Sequence, residues 1–189
     1  MQQPYFLNNG GNRKAKDGIM LWYAGKNPYI AGLECTGAIT IHSTYNGIAT
    51  TETYSDLNNA AIAIKADPNT EVYIEGIISR MINDSSEKRI RCHNTALTEL
   101  DCNSCTWLTD LNLSANTALT ILDCYSCYYL TTIYAIAKNK NVSDIIVHAI
   151  QSAFASNGTL YINSSDTYAS TVISAATDKG WVVENLPAA

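Results

Sequence analysis

Between residues 94 and 137 the apolar side chains follow a period that neither one helix nor one strand explains. Asn94-Thr-Ala-Leu-Thr-Glu-Leu-Asp-Cys-Asn-Ser-Cys returns, starting at position 116, as Asn116-Thr-Ala-Leu-Thr-Ile-Leu-Asp-Cys-Tyr-Ser-Cys, a period of 22. Leu97, Leu100, Cys102, Cys105 and Leu108 map onto Leu119, Leu122, Cys124, Cys127 and Leu130, so each unit reads L-x-x-L-x-C-x-x-C-x-x-L. A weaker echo lies half a period on, in Leu108, Leu111 and Leu113 and again in Leu130, Ile133 and Ala135. Within each L-x-[L/C] step the alternating side chains leave one face of a short strand. One such strand cannot bury its apolar face alone. Stacking successive units about 4.8 Å apart pairs the strands and joins their apolar residues into a continuous core. The heptad that a coiled coil needs is absent.

The flanks carry looser patterns. Ile39-Thr-Ile41, Ile62-Ala-Ile64, Val72-Tyr-Ile74 and Ile90-Arg-Cys92 alternate as strands do, with a turn signal at Asp67-Pro68-Asn69-Thr70. These segments, in residues 36–92, read either as earlier rungs of the repeat or as a separate β-rich cap. Residues 1–35 read as an N-terminal lead-in or cap, with a turn at Gly10-Gly11-Asn12 and a strand at Ile19–Tyr23. A stacked array requires such a cap, because its first rung otherwise exposes a bare sheet edge. After the regular repeats of 93–137, residues 138–189 predict a helix–strand closure. Ile145–Val147 and Leu160–Ile162 read as later rungs, joined by helical segments over Asp144–Ala155 and Asp166–Asp178. The second helix has Ser165 as its N-cap, Tyr168, Val172, Ile173 and Ala176 on one face, and Gly180 as its stop. Gly158-Thr159 marks a helix-to-strand join, and Trp181-Val-Val183 a closing strand.

These residues resemble the leucine-rich repeat family, in the subtype where both halves of the unit carry the L-x-x-L-x-L pattern. The N-T-A-L-T-x-L-D-C phrasing is similar to repeats of Bacteroidetes surface and phage-related proteins, over residues 94–137. The resemblance implies an α/β fold: a short leucine-rich-repeat solenoid of parallel rungs with a β-rich N-terminal cap and a helix–strand closure. It also implies a turn position, usually Asn, where this chain has Cys105 and Cys127, with cysteine a recognised substitute. The closing Asp178-Lys-Gly-Trp-Val-Val segment resembles the strand that ends such arrays.

In a solenoid the outward positions of the parallel strands form one face. By register its first rung shows Glu99, Asp101 and Asn103, and its second Ile121, Asp123 and Tyr125. With a slipped alignment the next shows Asp144, Ile146 and His148, while Trp107, Tyr128 and Tyr129 lie just past the turn, at the rim. This acidic, polar stripe with aromatics is a candidate surface for a glycan or a peptide. The twelve tyrosines of the chain favour a contact role.

Composition narrows the function. The 189 residues suffice for one domain or one capped array, and 47% hydrophobic content allows a real core. A net charge of −5 argues against sequence-independent nucleic-acid binding, and the basic run Arg13, Lys14 and Lys16 reads as a solvated loop. No apolar run reaches the roughly 18–20 residues of a membrane span. Met1–Leu7 shows no secretory signal, although a cleaved signal would leave none, and the reading favours a cell-surface, extracellular or virion setting over the cytoplasm.

The cysteines invite chemistry. Cys102-x-x-Cys105 and Cys124-x-x-Cys127 have zinc-ribbon spacing, but all four are repeat positions, so buried thiols are the preferred reading over metal or disulfide. Cys92 beside His93 suggests a nucleophile pair, yet Cys92 falls in the apolar alternation. His42, His93 and His148 lie in no catalytic signature, and the glycines form no phosphate loop. Asp101 and Asp123 recur with the repeat, which makes them surface features before they are an acid–base pair or a cation bridge. The Asn-x-Ser/Thr sequons at Asn83, Asn112, Asn141, Asn157 and Asn163 follow from a composition rich in Asn and Ser. The expectation is a non-enzymatic binding or adhesion module for a protein or glycan, with no cofactor or metal. A structural component of a virion or cell envelope is the alternative, and an enzyme comes third.

Overall fold

The computed structural model describes residues 18–23, 28–83, 87–93, 96–103 and 105–186. The basic run at 13–16, the turn at 10–12 and the segment 1–7 lie outside them. Among the described residues the chain is mixed α/β, mostly strands in two sheets, with two helices.

The N-terminal half is antiparallel. It runs through β1 (Gly18–Tyr23), β2 (Tyr29–Cys35), β3 (Ala38–Tyr45), β4 (Ile48–Ser55), β5 (Ala60–Ala63) and β6 (Glu71–Glu75). The expected strands around Ile39, Ile62 and Val72 are β3, β5 and β6. Asn46 and Gly47 take positive φ in the β3–β4 turn, a tight hairpin that few other residue pairs adopt cheaply. The Asp67 carboxylate accepts both of their backbone N–H groups, each at 2.9 Å.

Pairing changes character at β7 (Ile78–Asn83) and β8 (Glu87–His93). Each is antiparallel to an N-terminal strand on one side, β2 or β1, and parallel to a later strand on the other. From there come β9 (Glu99–Asp101), β10 (Asp110–Asn112), β11 (Ile121–Asp123) and β12 (Thr132–Ala135). Their starts are half a period apart, and they alternate between the sheets. Leu122 therefore pairs with Leu100 in one sheet, and Ile133 with Leu111 in the other, each one full period apart. The half-period echo is the second sheet.

Local chemistry enforces this path. The side chain of the strand-ending Asx residue accepts the backbone N–H two residues on: Asp101 from Asn103, Asn112 from Ser114, Asp123 from Tyr125. Next, backbone bonds three residues apart carry the corner, Cys105 to Cys102 and Leu108 to Cys105, then Asn116 to Leu113 and Leu119 to Asn116. Every third side chain thus turns inward, and Cys102, Cys105, Leu108, Leu113, Asn116 and Leu119 are all buried. The turn position alternates Cys105, Asn116, Cys127. Before each strand a threonine ties its layer to the one beneath: the N–H and the hydroxyl of Thr98, Thr109, Thr120 and Thr131 donate to the carbonyls of Ser79, Lys88, Thr98 and Thr109.

Beyond β12 the chain departs from expectation. Residues 145–147 are not a strand; they lie within α1 (Lys140–Ser152), capped by the Asn139 side chain accepting from Val142 N. Val142, Ile146, Ala149 and Ile150 are its buried stripe, so the helical period overrides the local β-branched run. The slipped rung of Asp144, Ile146 and His148 is corrected accordingly. The strand β13 (Thr159–Ile162) pairs parallel with β12, and β14 (Val182–Asn185) closes the nine-stranded sheet. The last helix, α2 (Ala169–Asp178), starts three residues later than expected. Ser165 is not its cap: its N–H and hydroxyl are bound to Asn163 Oδ1, and the buried Asp166 carboxylate accepts Ala137 N–H.

The sheet orders are β14-β13-β12-β10-β8-β1-β6-β3-β4 and β11-β9-β7-β2-β5. One contiguous buried cluster runs between them, from Ile19 to Trp181. Gly158 marks its tight end. A Cβ there would stand 2.5–2.8 Å from the Trp181 ring, which is buried and donates its indole N–H to Ala155 O at 2.9 Å. Gly158→Ala is expected to cost about 1–3 kcal/mol through overpacking, read as a fall in the thermal unfolding midpoint. An unchanged midpoint would show that the indole is not seated there.

Candidate binding surface

The strand face read from the sequence is largely occupied by structural work. Glu99 pairs with Arg80 at 2.9 Å, and Arg80 also donates to Asn59 Oδ1 at 2.6 Å. Asp101 and Asp123 hold the turns that follow them, and Asn103 Oδ1 accepts the N–H and hydroxyl of Ser126 from the next layer. Asp144 faces Lys140 at 2.6 Å on the exposed side of α1. Ile121 and Tyr125 are exposed, and the His148 ring is within hydrogen-bond reach of Ser152 Oγ, 3.3 Å from Nδ1. Tyr125 and His148 do meet, edge to face with centroids 4.2 Å apart, but across β11 and a helix rather than between two rungs.

The rim residues form the more pronounced surface. Trp107 and Tyr129 occupy the same position in successive repeats, and layer stacking places their rings 5.1 Å apart at 14°. Tyr128, one position earlier, stacks on Phe154 at 5.5 Å, and Phe154 meets Tyr129 edge-on at 5.3 Å. Phe154 is held there by its N–H, which donates to Tyr128 O at 2.7 Å. All four are exposed: Trp107 57%, Tyr128 38%, Tyr129 43% and Phe154 68%. The repeat register identifies the Trp107–Tyr129 pair from sequence alone. Phe154 follows a helix, outside the repeat, and nothing in the spacing points to it.

The outer face of the nine-stranded sheet carries a second group of aromatic and charged side chains. Across it run Trp22 with the Arg89 guanidinium 5.8 Å above its ring, Arg91 at 3.7 Å from Asp110, and Tyr134 stacked on Tyr161 at 4.3 Å. Met20, Trp22, Glu71, Arg89 and Arg91 line a shallow depression there. Burial raises the Asp110 carboxyl above the usual range, and the nearby Arg91 and Arg89 only partly oppose it. His42 lies 3.4 Å from Glu75 and stacks on Tyr73, outside that depression. The pair has the elements of a base with its orienting carboxylate, on side chains that are 33% and 29% exposed.

All six cysteines are buried free thiols. Burial pushes Cys92 up to about 12, which removes its nucleophilic form at neutral pH. The His93 side chain lies outside the described residues. The Cys102 thiol is held well above the ordinary value by hydrogen bonds to Cys124 and Cys127, and then by burial. Among the described residues no group of three or more His, Cys, Asp or Glu side chains is placed to hold a metal ion. Nor is any helix among them long and apolar enough to cross a membrane.

Comparison with protein-family models, with curated proteins and with solved structures finds no match to this chain.

The raised Cys92 and Cys102 thiols make stability depend on pH in one direction. Their folded pKa values lie above the unfolded one, so the contribution is complete below about pH 9 and for Cys92 is lost as pH rises toward about 12. Thermal midpoints are therefore expected to hold level from neutral pH to about 9 and then fall, with native thiols inert to a disulfide reagent at pH 8 until the chain is denatured. Rapid labelling of Cys92 in the native chain would contradict the buried placement.

Proposed function

We propose that this chain is a leucine-rich-repeat binding or adhesion module, without catalytic function, that recognises a protein or glycan ligand. The parallel strands returning once per repeat in each sheet, and the Cys105, Asn116 and Cys127 turn positions, support reading it as a short repeat solenoid. The observation that carries the binding reading is the exposed corner of Trp107, Tyr128, Tyr129 and Phe154. Soluble proteins rarely leave four large rings together in water unless the patch meets a partner. The layered backbone fixes Trp107, Tyr128 and Tyr129, so little conformational entropy opposes contact. Burying Trp107 and Phe154 against a ligand is worth about 1.5–3 kcal/mol each. Exposed aromatics of this kind are typical centres of interface energy. Tyr125 with His148 extends the surface along β11.

A glycan and peptide array probed with the full chain tests this reading. Selective binding is expected, weakened at least about tenfold by Trp107→Ala or Phe154→Ala, at roughly 1.4 kcal/mol per factor of ten, with the unfolding midpoint nearly unchanged. Binding that survives both substitutions, or that fails only in Tyr125→Ala, would move the site off the aromatic corner.

A further inference from the structure

Each sheet has two edges, and they differ in kind. In the five-stranded sheet β5 has four residues, and β11 has three and lies against α1. In the nine-stranded sheet β14 has four. These are the short or covered edges with which proteins avoid strand-to-strand association. The fourth edge, β4, is eight residues long, Ile48-Ala-Thr-Thr-Glu-Thr-Tyr-Ser55. It pairs with β3 over all eight positions without a register shift, so no bulge twists it away. It contains no Lys and no Pro, and among the described residues no strand pairs with its outer side.

The hairpin that carries β4 is fastened at both ends. Asp67 holds the Asn46-Gly47 turn. At the other end Asp56 Oδ1 accepts Gly37 N–H at 2.7 Å, and Asp56 N–H donates to Gly37 O at 3.1 Å. A rigid edge loses little entropy when another strand joins it. The row of free backbone donors and acceptors selects an extended strand as its occupant.

The geometry points to β4 of a second copy, giving a closed two-fold dimer in which the two nine-stranded sheets join edge to edge. Three features select a copy of this chain over a foreign strand. The sequence of β4 is rich in β-branched residues and suits the paired state on both sides of the junction. Its outward row, Ala49, Thr51, Thr53 and Ser55, is small and uncharged, so two antiparallel copies meet without a steric or electrostatic clash. On its other face the single charge, Glu52, already accepts the Tyr54 hydroxyl at 2.6 Å, and the register that sets Thr51 opposite its own copy places Glu52 opposite Thr50 of the second copy, apart from the second Glu52. Since β14, β5 and β11 are short or covered, association through β4 uses the one open edge among the described residues and stops at two chains.

Analytical ultracentrifugation of the full chain over a concentration series tests this. The expected species is twice the 20.6 kDa chain mass. The Thr51→Lys/Thr53→Lys variant is expected to be a monomer wherever the wild type is a dimer, while Val182→Lys on the β14 edge leaves the dimer intact. Hydrogen exchange gives a second readout that needs no variant: protection of β4 amides should rise with protein concentration while that of β14 stays constant. A wild-type monomer at all concentrations would overturn the proposal, as would a dimer that persists in a folded double-lysine variant. Concentration-independent exchange in β4 would do the same.

Discussion

The structure depends on one constraint: each layer must place its apolar residues directly over those of the layer before it. Met81, Leu100 and Leu122 line up in one sheet, and Ile90, Leu111, Ile133, Leu160 and Val183 in the other. Strands of three or four residues are too short to hold this register alone. The corners hold it for them. Threonine hydroxyls and backbone N–H groups reach down one layer, the Asx carboxylates and amides close the turns, and Cys102 and Cys127 sulfurs donate to carbonyls of neighbouring layers. Hydroxyl and thiol thus add a second donor to carbonyls that already accept a backbone N–H, while the Asx side chains satisfy the N–H groups of the turns.

A parallel stack of this kind is unstable at its first layer, where a bare edge and apolar core would face water. Here the antiparallel N-terminal strands solve the problem from inside the sheets. β1 pairs with β8 and β2 with β7, so the cap is a continuation of both sheets rather than a lid over them. At the other end α1, α2 and β14 cover the final layers, and Trp181 seals the corner at Gly158. Two regular repeats suffice because both neighbours extend the same core.

Much of this was legible in the sequence, and the failures have physical reasons. The near-identity of the two repeat units carries β9 to β12, because buried positions recur and corners demand particular side chains. The alternations around Ile39, Ile62, Val72 and Ile90 are strands, but their pairing partners depend on contacts far along the chain. The run at Ile145–Val147 misleads: its β-branched residues suit a strand, while their neighbours Val142, Ala149 and Ile150 place the segment on a helical stripe. Asp101, Asp123 and Asn103 belong to the predicted face, yet the Oδ1 of each is bound inside the fold, a use that residue type does not distinguish from ligand binding. Trp107 and Tyr129 could be paired from register. Phe154, and the Trp22, Arg89, Tyr134 and Tyr161 face, arise from packing between segments with no shared period.

The aromatic corner is the proposed contact surface of a rigid layered scaffold. Backbone amide shifts, followed by NMR as a ligand is titrated into the full chain, test it most directly. The account predicts that the largest changes cluster at Trp107, Tyr128, Tyr129 and Phe154, with the strands beneath them unmoved. Changes centred instead on Trp22, Arg89, Tyr134 and Tyr161 would contradict it and assign recognition to the opposite sheet face.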